Sequence, residues 1–430
     1  MNKNNNKTDF KACVEVSRKW EGEKVAEELI NKIKNEVLNP KFILLFATIE
    51  YKNEFKKILS GIKTKFPDSP LIGGTVAGFI TPQGCYTRGV TALALEYHNM
   101  DIAVGIGHNT KRNPKKAAKT CAEMIKKGLK NSKWKNKFLY IVNSGVMIPR
   151  FPLIGQKSVI KSKLAGKVMA LFSESLTKFQ CGIGREEEIL EELVKLLPDY
   201  YIFGSSSYDN NKMIINYQFL NEEVVTNTIV AIGISSDLKT QINTSYGLKQ
   251  TGIDFEATKL TFGKRAIQEI NGKPAVKELL KIMKWPEDIL NERIHRVTYY
   301  TPLGFEKKGI LYPEVMGFFM GDSIICGYRI ENPRISLLSA SGKSILDSVD
   351  ENLITFKNKN NLIFLMTSCS VRLETIGGKI FRIHEKILNH LKNTPFLLLY
   401  GAGEDVYIPE KEVYYHINEA LNIASIYKER

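Results

Sequence analysis

At 430 residues, with 43% hydrophobic and 25% charged residues, the chain has material for two or three domains and lies far from the apolar-poor compositions that stay disordered. Its formal net charge of +15 admits a polyanionic partner. Lysine supplies most of that charge over several segments, however, whereas phosphate recognition concentrates Arg and aromatic residues on one element, so no specific nucleic-acid binding is expected.

The first ten residues, Met1 to Phe10, are polar and rich in Asn and Lys, which predicts a disordered tail and no secretion signal. No stretch of about 18 apolar residues occurs, so no membrane span is expected. Cys13, Cys85, Cys121, Cys181, Cys326 and Cys369 form no C-x-x-C pair. That pattern fits a reducing, cytoplasmic compartment and excludes a zinc ribbon.

Three passages share one grammar: an apolar strand, a helix, a second strand and a small-residue turn. In the first, Phe42 to Ala47 predicts a strand, Glu54 to Phe66 a helix, and Leu71-Ile72 runs into Gly73-Gly74-Thr75. In the second, Phe138 to Val142 precedes a helix over Glu186 to Leu197, and Tyr201-Ile202-Phe203 runs into Gly204-Ser205-Ser206-Ser207. In the third, Leu362 to Met366 precedes a helix over Gly378 to Leu391, and Phe396 to Leu399 runs into Gly401-Ala402-Gly403. Continuously apolar strands are buried on both faces, so the fold class expected is α/β, in its mixed α+β form, with layered sheets covered by helices.

The first two passages continue alike, which predicts an internal duplication. Val90 to Leu95 with Asp101 to Val104, and Thr228 to Ile232 with Asp237 to Thr240, read as hairpins. A long insertion over 145–185, with Pro149, Pro152 and a basic apolar stretch from Lys161 to Phe172, is expected to be a lid or an extra edge helix. A boundary is expected at Lys284-Trp285-Pro286, after a helix over Pro274 to Met283, with a strand over Val297 to Tyr300 beyond it. The expected division is therefore a tail over 1–10, a first domain over 11–285 and a second over 286–430.

Small-residue turns after buried strands can present successive backbone N–H groups to an anion, and ligand clefts in α/β sheets lie at such strand ends. Gly73, Gly74, Thr75, Gly204, Ser205 and Ser206 are the candidates. The alternative is that the glycines only permit tight packing. Near the third unit, Arg372 offers a bidentate fork for a carboxylate and Glu404 an anion for an ammonium group, a combination suited to an amino acid. The alternative for this pair is an ion pair locking two loops. Cys369 reads as a small buried apolar residue, or alternatively as the nucleophile of a hydrolase or transferase with His384 or His416 as base. Gly403 and Asn418 complete the candidate set.

Other signals fail. Ser341-Gly342-Lys343-Ser344 has Leu337 where a phosphate-binding loop needs its first glycine. Gly105-Ile106-Gly107 and Gly182-Ile183-Gly184 lack the third glycine of a dinucleotide site. His384 and His390 are spaced poorly for a shared metal, and His98 and His108 read as strand-end surface residues. No cofactor is expected.

Taken in order, Gly73-Gly74-Thr75-Val76-Ala77-Gly78, Gly204-Ser205-Ser206-Ser207-Tyr208-Asp209-Asn210, Asn271-Gly272-Lys273-Pro274-Ala275, Thr301-Pro302-Leu303-Gly304, Ser368-Cys369-Ser370-Val371-Arg372 and Gly401-Ala402-Gly403-Glu404 resemble the successive motifs of the FIST family, FIST N followed by FIST C. His416-Ile417-Asn418-Glu419 stands where that family carries its closing "HNxT" signature. The resemblance covers roughly residues 10 to 425. It implies a stand-alone signal-transduction sensor, not an enzyme, that binds a small ligand, with amino acids proposed, and acts on an output protein in trans.

Overall fold

The computed structural model describes residues 10–148, 150–151, 155–171, 185–261, 263–307 and 309–429. Side-chain alternation along the buried strands builds its layers. On the strand Phe42–Ala47, residues Phe42, Leu44 and Phe46 enter a central core, while Ile43, Leu45 and Ala47 meet the apolar stripes of the helices Gly22–Glu36 and Phe55–Lys65. The second unit repeats this: Phe138, Tyr140 and Val142 face the centre, and Leu139 and Ile141 face the helices Pro114–Gly128 and Glu186–Leu196. In the third, Ile363 and Leu365 point inward, and Phe364 and Met366 point to the helices Gly342–Leu353 and Ile380–Leu391. Three helix-backed sheets thus share one interior.

Each of these sheets has six strands in the same order. An edge strand is followed by a returning strand, then by two parallel strands, then by a hairpin borrowed from another unit. In the first sheet the parallel pair is Phe42–Ala47 with Leu71–Thr75, and the hairpin is Gln218–Leu220 with Glu223–Val225, from the second unit. The second sheet pairs Asn136–Ser144 with Tyr200–Ser207 and receives Glu404–Ile408 with Val413–Ile417, from the third. The third pairs Asn360–Cys369 with Phe396–Gly401 and receives Gly78–Thr81 with Gly84–Tyr86, from the first. The exchange is cyclic, and the repeat is threefold where the sequence had suggested a duplication.

Two expected hairpins are corrected by this topology. Val90–Glu96 pairs inside the first sheet, while Met100–His108 is the edge strand of the second. Likewise Thr228–Ser236 belongs to the second sheet and Lys239–Ser245 to the third. In each case the short polar turn hands the chain from one sheet to the next.

A fourth sheet is built from strands between Leu248 and Ala340, joined at one end by Val159–Ile160 from the 145–185 insertion. It encloses its own core with the helix Ala275–Met283. The boundary expected near Pro286 falls inside this unit. Val297, expected in a strand, lies in the short helix His295–Thr298, whose backbone N–H groups bond three or four residues back. From the insertion, the helix Lys163–Leu171 packs on Phe318–Met320. Pro149, Pro152 and Gly182-Ile183-Gly184 lie outside the described residues.

Other sequence signals have structural explanations. Ser341 caps the helix Gly342–Leu353 in a reciprocal capping box with Ser344. Gly105 and Gly107 let the helix Pro114–Gly128 approach the strand Met100–His108, since a Cβ on Gly107 would lie 2.0 Å from Ala117 O. No described helix is long and apolar enough to cross a membrane.

Candidate functional site

A cavity of about 90 Å³ opens where the parallel strands of the second and third sheets end. Val146 and Tyr208 follow the two strands of the second sheet, and Cys369 and Ala402 stand at the ends of those of the third. Ligands of α/β proteins gather at such carboxyl ends. The fourth sheet closes the space with Glu314, Phe318, Gly327 and Tyr328, and the short helix 295–298 contributes His295.

The polar wall is organised around His416. Asp405 and His416 are register partners on adjacent antiparallel strands, so their side chains share a face. Asp405 Oδ1 lies 2.8 Å from His416 Nδ1, and Asn143 Nδ2 donates to Asp405 Oδ2 at 2.8 Å. Burial alone would lower the imidazole pKa, but the Asp405 charge and hydrogen bond outweigh it and raise the value above 6.5. The ring so held lines the cavity. Gly403 makes room for the ring, because a Cβ there would fall 2.8 Å from Nε2, and its φ of +125° suits only glycine. Asn418 is fixed beside it by its backbone N–H, which donates to the Tyr328 hydroxyl at 2.7 Å.

Two carboxyl groups line the same space. Burial would raise the Glu186 pKa, yet the buried Lys111, with Nζ 2.6 Å from Glu186 Oε1, keeps it below the usual value. Glu314 has no such counterion. It is 3% exposed, Oε1 accepts from Gly327 N at 2.6 Å, and Oε2 has no hydrogen-bond partner. Burial pushes its pKa up to about 8. His295, also in the lining, is pushed down by burial, so the two lining histidines are shifted in opposite directions.

Of the residues singled out from sequence, Cys369 and Asn418 line this cavity, and Gly403 lies directly behind His416. The six residues of the Gly/Ser turns do not line it. Their neighbourhood is the junction of the three sheets, where N–H groups are already paired: Thr75 N with Tyr217 O, Ser206 N with Gly403 O, Ala77 N with Tyr400 O and Tyr208 N with Thr75 O. A Cβ on Gly73 would lie 1.7 Å from Leu45 O, and one on Gly204 2.0 Å from Ile141 O. A Cβ on Gly74 would lie 2.5 Å from Ser207 Oγ and 2.7 Å from Tyr217 O, and Ser205 packs against Gly401. Close packing is what these turns provide, and no anion cradle forms.

Arg372 and Glu404 are also outside the lining. Arg372 is 1% exposed, and its guanidinium bonds Tyr246 O, Glu419 O, Ile345 O and Ser348 Oγ. The fork expected to read a carboxylate ligand therefore ties three other segments to its own helix. Glu404 is fully buried, and burial holds its carboxyl well above the ordinary range. Cys369 is likewise a buried thiol, raised by burial and then by the neighbouring Glu404 and Glu419, the reverse of an activated thiolate. His384 sits outside the lining, with Nε2 3.3 Å from Pro82 O. The residues that sequence reasoning passed over are Glu186, Glu314 and Asp405. Glu186 opens an acidic helix, Glu314 ends a strand of the fourth sheet and Asp405 follows Glu404, so no local motif joins the three.

Among curated proteins none matches the chain. Two solved structures are similar at low scores: a cyanuric acid hydrolase from A. caulinodans (8% identity, 98% of this chain and 100% of that one, TM-score 0.37) and PurLQS from Thermotoga maritima (10% identity, 98% and 73%, TM-score 0.19). Likeness this slight carries no functional weight. The FIST N domain family model matches residues 41–273, more than half of the chain, from the parallel pair of the first sheet into the strands of the fourth. By that match the chain belongs to the FIST family.

Proposed function

We propose that this protein is a cytoplasmic sensor that binds a small carboxylate, amino acids included, in the cavity at His416 and signals its occupancy to an output protein in trans. Membership of a family built on a small-ligand sensory domain supports the general role. The carrying observation is the Asn143, Asp405, His416 chain, which fixes the orientation of one imidazole in the cavity wall and favours its protonated form. Asn418 stands beside it as a second polar contact. The volume suits the assignment: one water needs about 10–15 Å³ on the same measure, so about 90 Å³ accepts a molecule of roughly six to nine heavy atoms.

Second- and third-sheet strand ends and the fourth sheet all contribute walls, so occupancy would favour one arrangement of these units over another. That supplies a route from ligand to surface. The test is a thermal-shift screen of the full chain with small carboxylates and amino acids, repeated on His416→Asn. A stabilising ligand whose effect is lost in the folded variant is the expected result. A panel that leaves the melting temperature unchanged, or a response that survives His416→Asn, would remove the assignment.

A further inference from the structure

The lysine excess runs through several segments of the sequence, but the fold gathers much of it on one face. Between Arg112 and Lys135 nine cations stand against one acid, Glu123, a balance that supplies more than half of the chain's net +15. The segment is the helix Pro114–Gly128 with the turn after it. Ala117, Ala118, Cys121, Ala122 and Ile125 pack on the second sheet. Lys115, Lys119, Lys126 and Lys130 recur at helical spacing and are exposed on the opposite side, with Lys116 and Lys127 beside them. Fifteen residues of helix extend this row over about 22 Å. The face keeps its charge: Lys119 pairs with Glu123 at 3.8 Å, and among the described residues none forms an ion pair with its other lysines. The acidic helix Glu186–Leu196 packs alongside, but its carboxylates are turned to other cations, Glu186 to Lys111, Glu187 to Arg265, Glu188 to Arg185 and Glu191 to Lys307.

We propose that this face seats the protein on an anionic lipid bilayer, as a peripheral contact that salt reverses. The make-up of the face favours lipid over other acidic partners. Protein interfaces are built round an apolar core and are poor in lysine, whereas this helix exposes one large apolar side chain, Met124. Nucleic-acid sites use arginine forks and stacking aromatic rings. The helix carries no Arg, and Trp134, the one aromatic residue of the segment, is half-buried with Lys133 Nζ 4.6 Å from its ring centroid. A headgroup layer asks only for point charges in a row, and each lysine held near it strengthens partitioning about fivefold. The apolar stripe of the helix is already covered by the second sheet, so it has nothing to insert, and an attraction between exposed charges weakens as salt screens them. This contact stands apart from the cavity, and the outcome for one does not decide the other.

The full chain is sedimented with vesicles of phosphatidylcholine alone and of phosphatidylcholine mixed with phosphatidylserine, over a series of salt concentrations. Two triple variants of equal net charge are compared. Lys115→Gln, Lys126→Gln and Lys130→Gln together remove charge from the face, and Lys56→Gln, Lys277→Gln and Lys281→Gln together remove it from exposed lysines elsewhere. All six side chains are exposed, so both variants are expected to keep the wild-type melting temperature. The expected result is binding to the phosphatidylserine vesicles only, released by rising salt, weakened about a hundredfold in the first variant and less than about tenfold in the second. Equal binding to both kinds of vesicle, no binding to either, or the same loss in the two variants would overturn the proposal. So would a complex with short duplex DNA or RNA that is tighter than the vesicle complex and survives physiological salt, since the face would then be a nucleic-acid site.

Discussion

Asp405 and His416 are directly opposed on neighbouring strands, 2.8 Å apart at Oδ1 and Nδ1, and both are buried. A histidine in this position is fixed in orientation, and its partner favours the protonated form. Because the folded pKa lies above the ordinary 6.5, the pair adds stability that is fully present below that value and is lost as pH rises through the folded one. Asp405→Asn should therefore destabilise the protein by about 1.5–3 kcal/mol at pH 5.5, with the difference narrowing as pH rises. Denaturant titrations of both proteins across pH 5.5 to 8.5 measure this. A difference that widens with pH would contradict it.

Arg372 predicts a structural phenotype. Its contacts reach the loop after Lys239–Ser245, the helix Gly342–Leu353 and the turn at Glu419. Arg372→Lys keeps the charge but cannot span these acceptors, and a loss of about 3 kcal/mol is expected. Chemical denaturation gives the value. Unchanged stability together with altered ligand response would return Arg372 to the binding site.

The two glycines of the repeat make a paired prediction. Gly73 sits opposite Leu45 and Gly204 opposite Ile141, at matching positions of the first and second sheets, and in both the added Cβ strikes the neighbouring strand's carbonyl oxygen. Gly73→Ala and Gly204→Ala should each cost more than about 3 kcal/mol, or prevent folding, since backbone cannot yield as a side chain can. At the corresponding third position stands Leu399, opposite Thr367. There Leu399→Ala should cost about 2–5 kcal/mol by opening a void. Soluble yield and melting temperature distinguish these effects.

Buried acids set the alkaline limit. Burial raises Glu419 to about 8, and Arg372 opposes this only in part. A raised carboxyl contributes stability below the ordinary range, and that contribution is lost as pH climbs from about 4.5 toward 8. Glu419→Gln should remove up to about 1.4 kcal/mol per pH unit from the downward slope across that window. A slope unaffected by the variant would mean that Glu419 is ionised in the folded protein.

The layering was legible in the sequence because it rests on local alternation. Phe42 to Ala47, Phe138 to Val142 and Phe396 to Leu399 are strands where their apolar runs placed them. Strand exchange was not legible, since Ser205 meets Glu404 some two hundred residues away and nothing local to either residue encodes that pairing. The same limit applied to the site. Cys369 and Asn418 stood out through their motifs, whereas Asp405 acquires its role only opposite His416, and Glu314 only when the fourth sheet closes over the strand ends. Arg372 was noticed for the right chemistry, but its guanidinium turned to backbone carbonyls that no sequence pattern could reveal.

That a small ligand occupies this cavity is tested most directly by filling it. Gly317 lines the space, and a Cβ built there meets nothing within 4 Å. Gly317→Phe therefore adds a ring at the wall of the space and leaves His416, Asp405 and Glu314 in place. Equilibrium binding of the stabilising ligand to wild type and to folded Gly317→Phe is the decisive comparison. A loss of affinity of at least about a hundredfold, roughly 2.7 kcal/mol, is the predicted result, and undiminished binding by the folded variant would show that the ligand binds elsewhere.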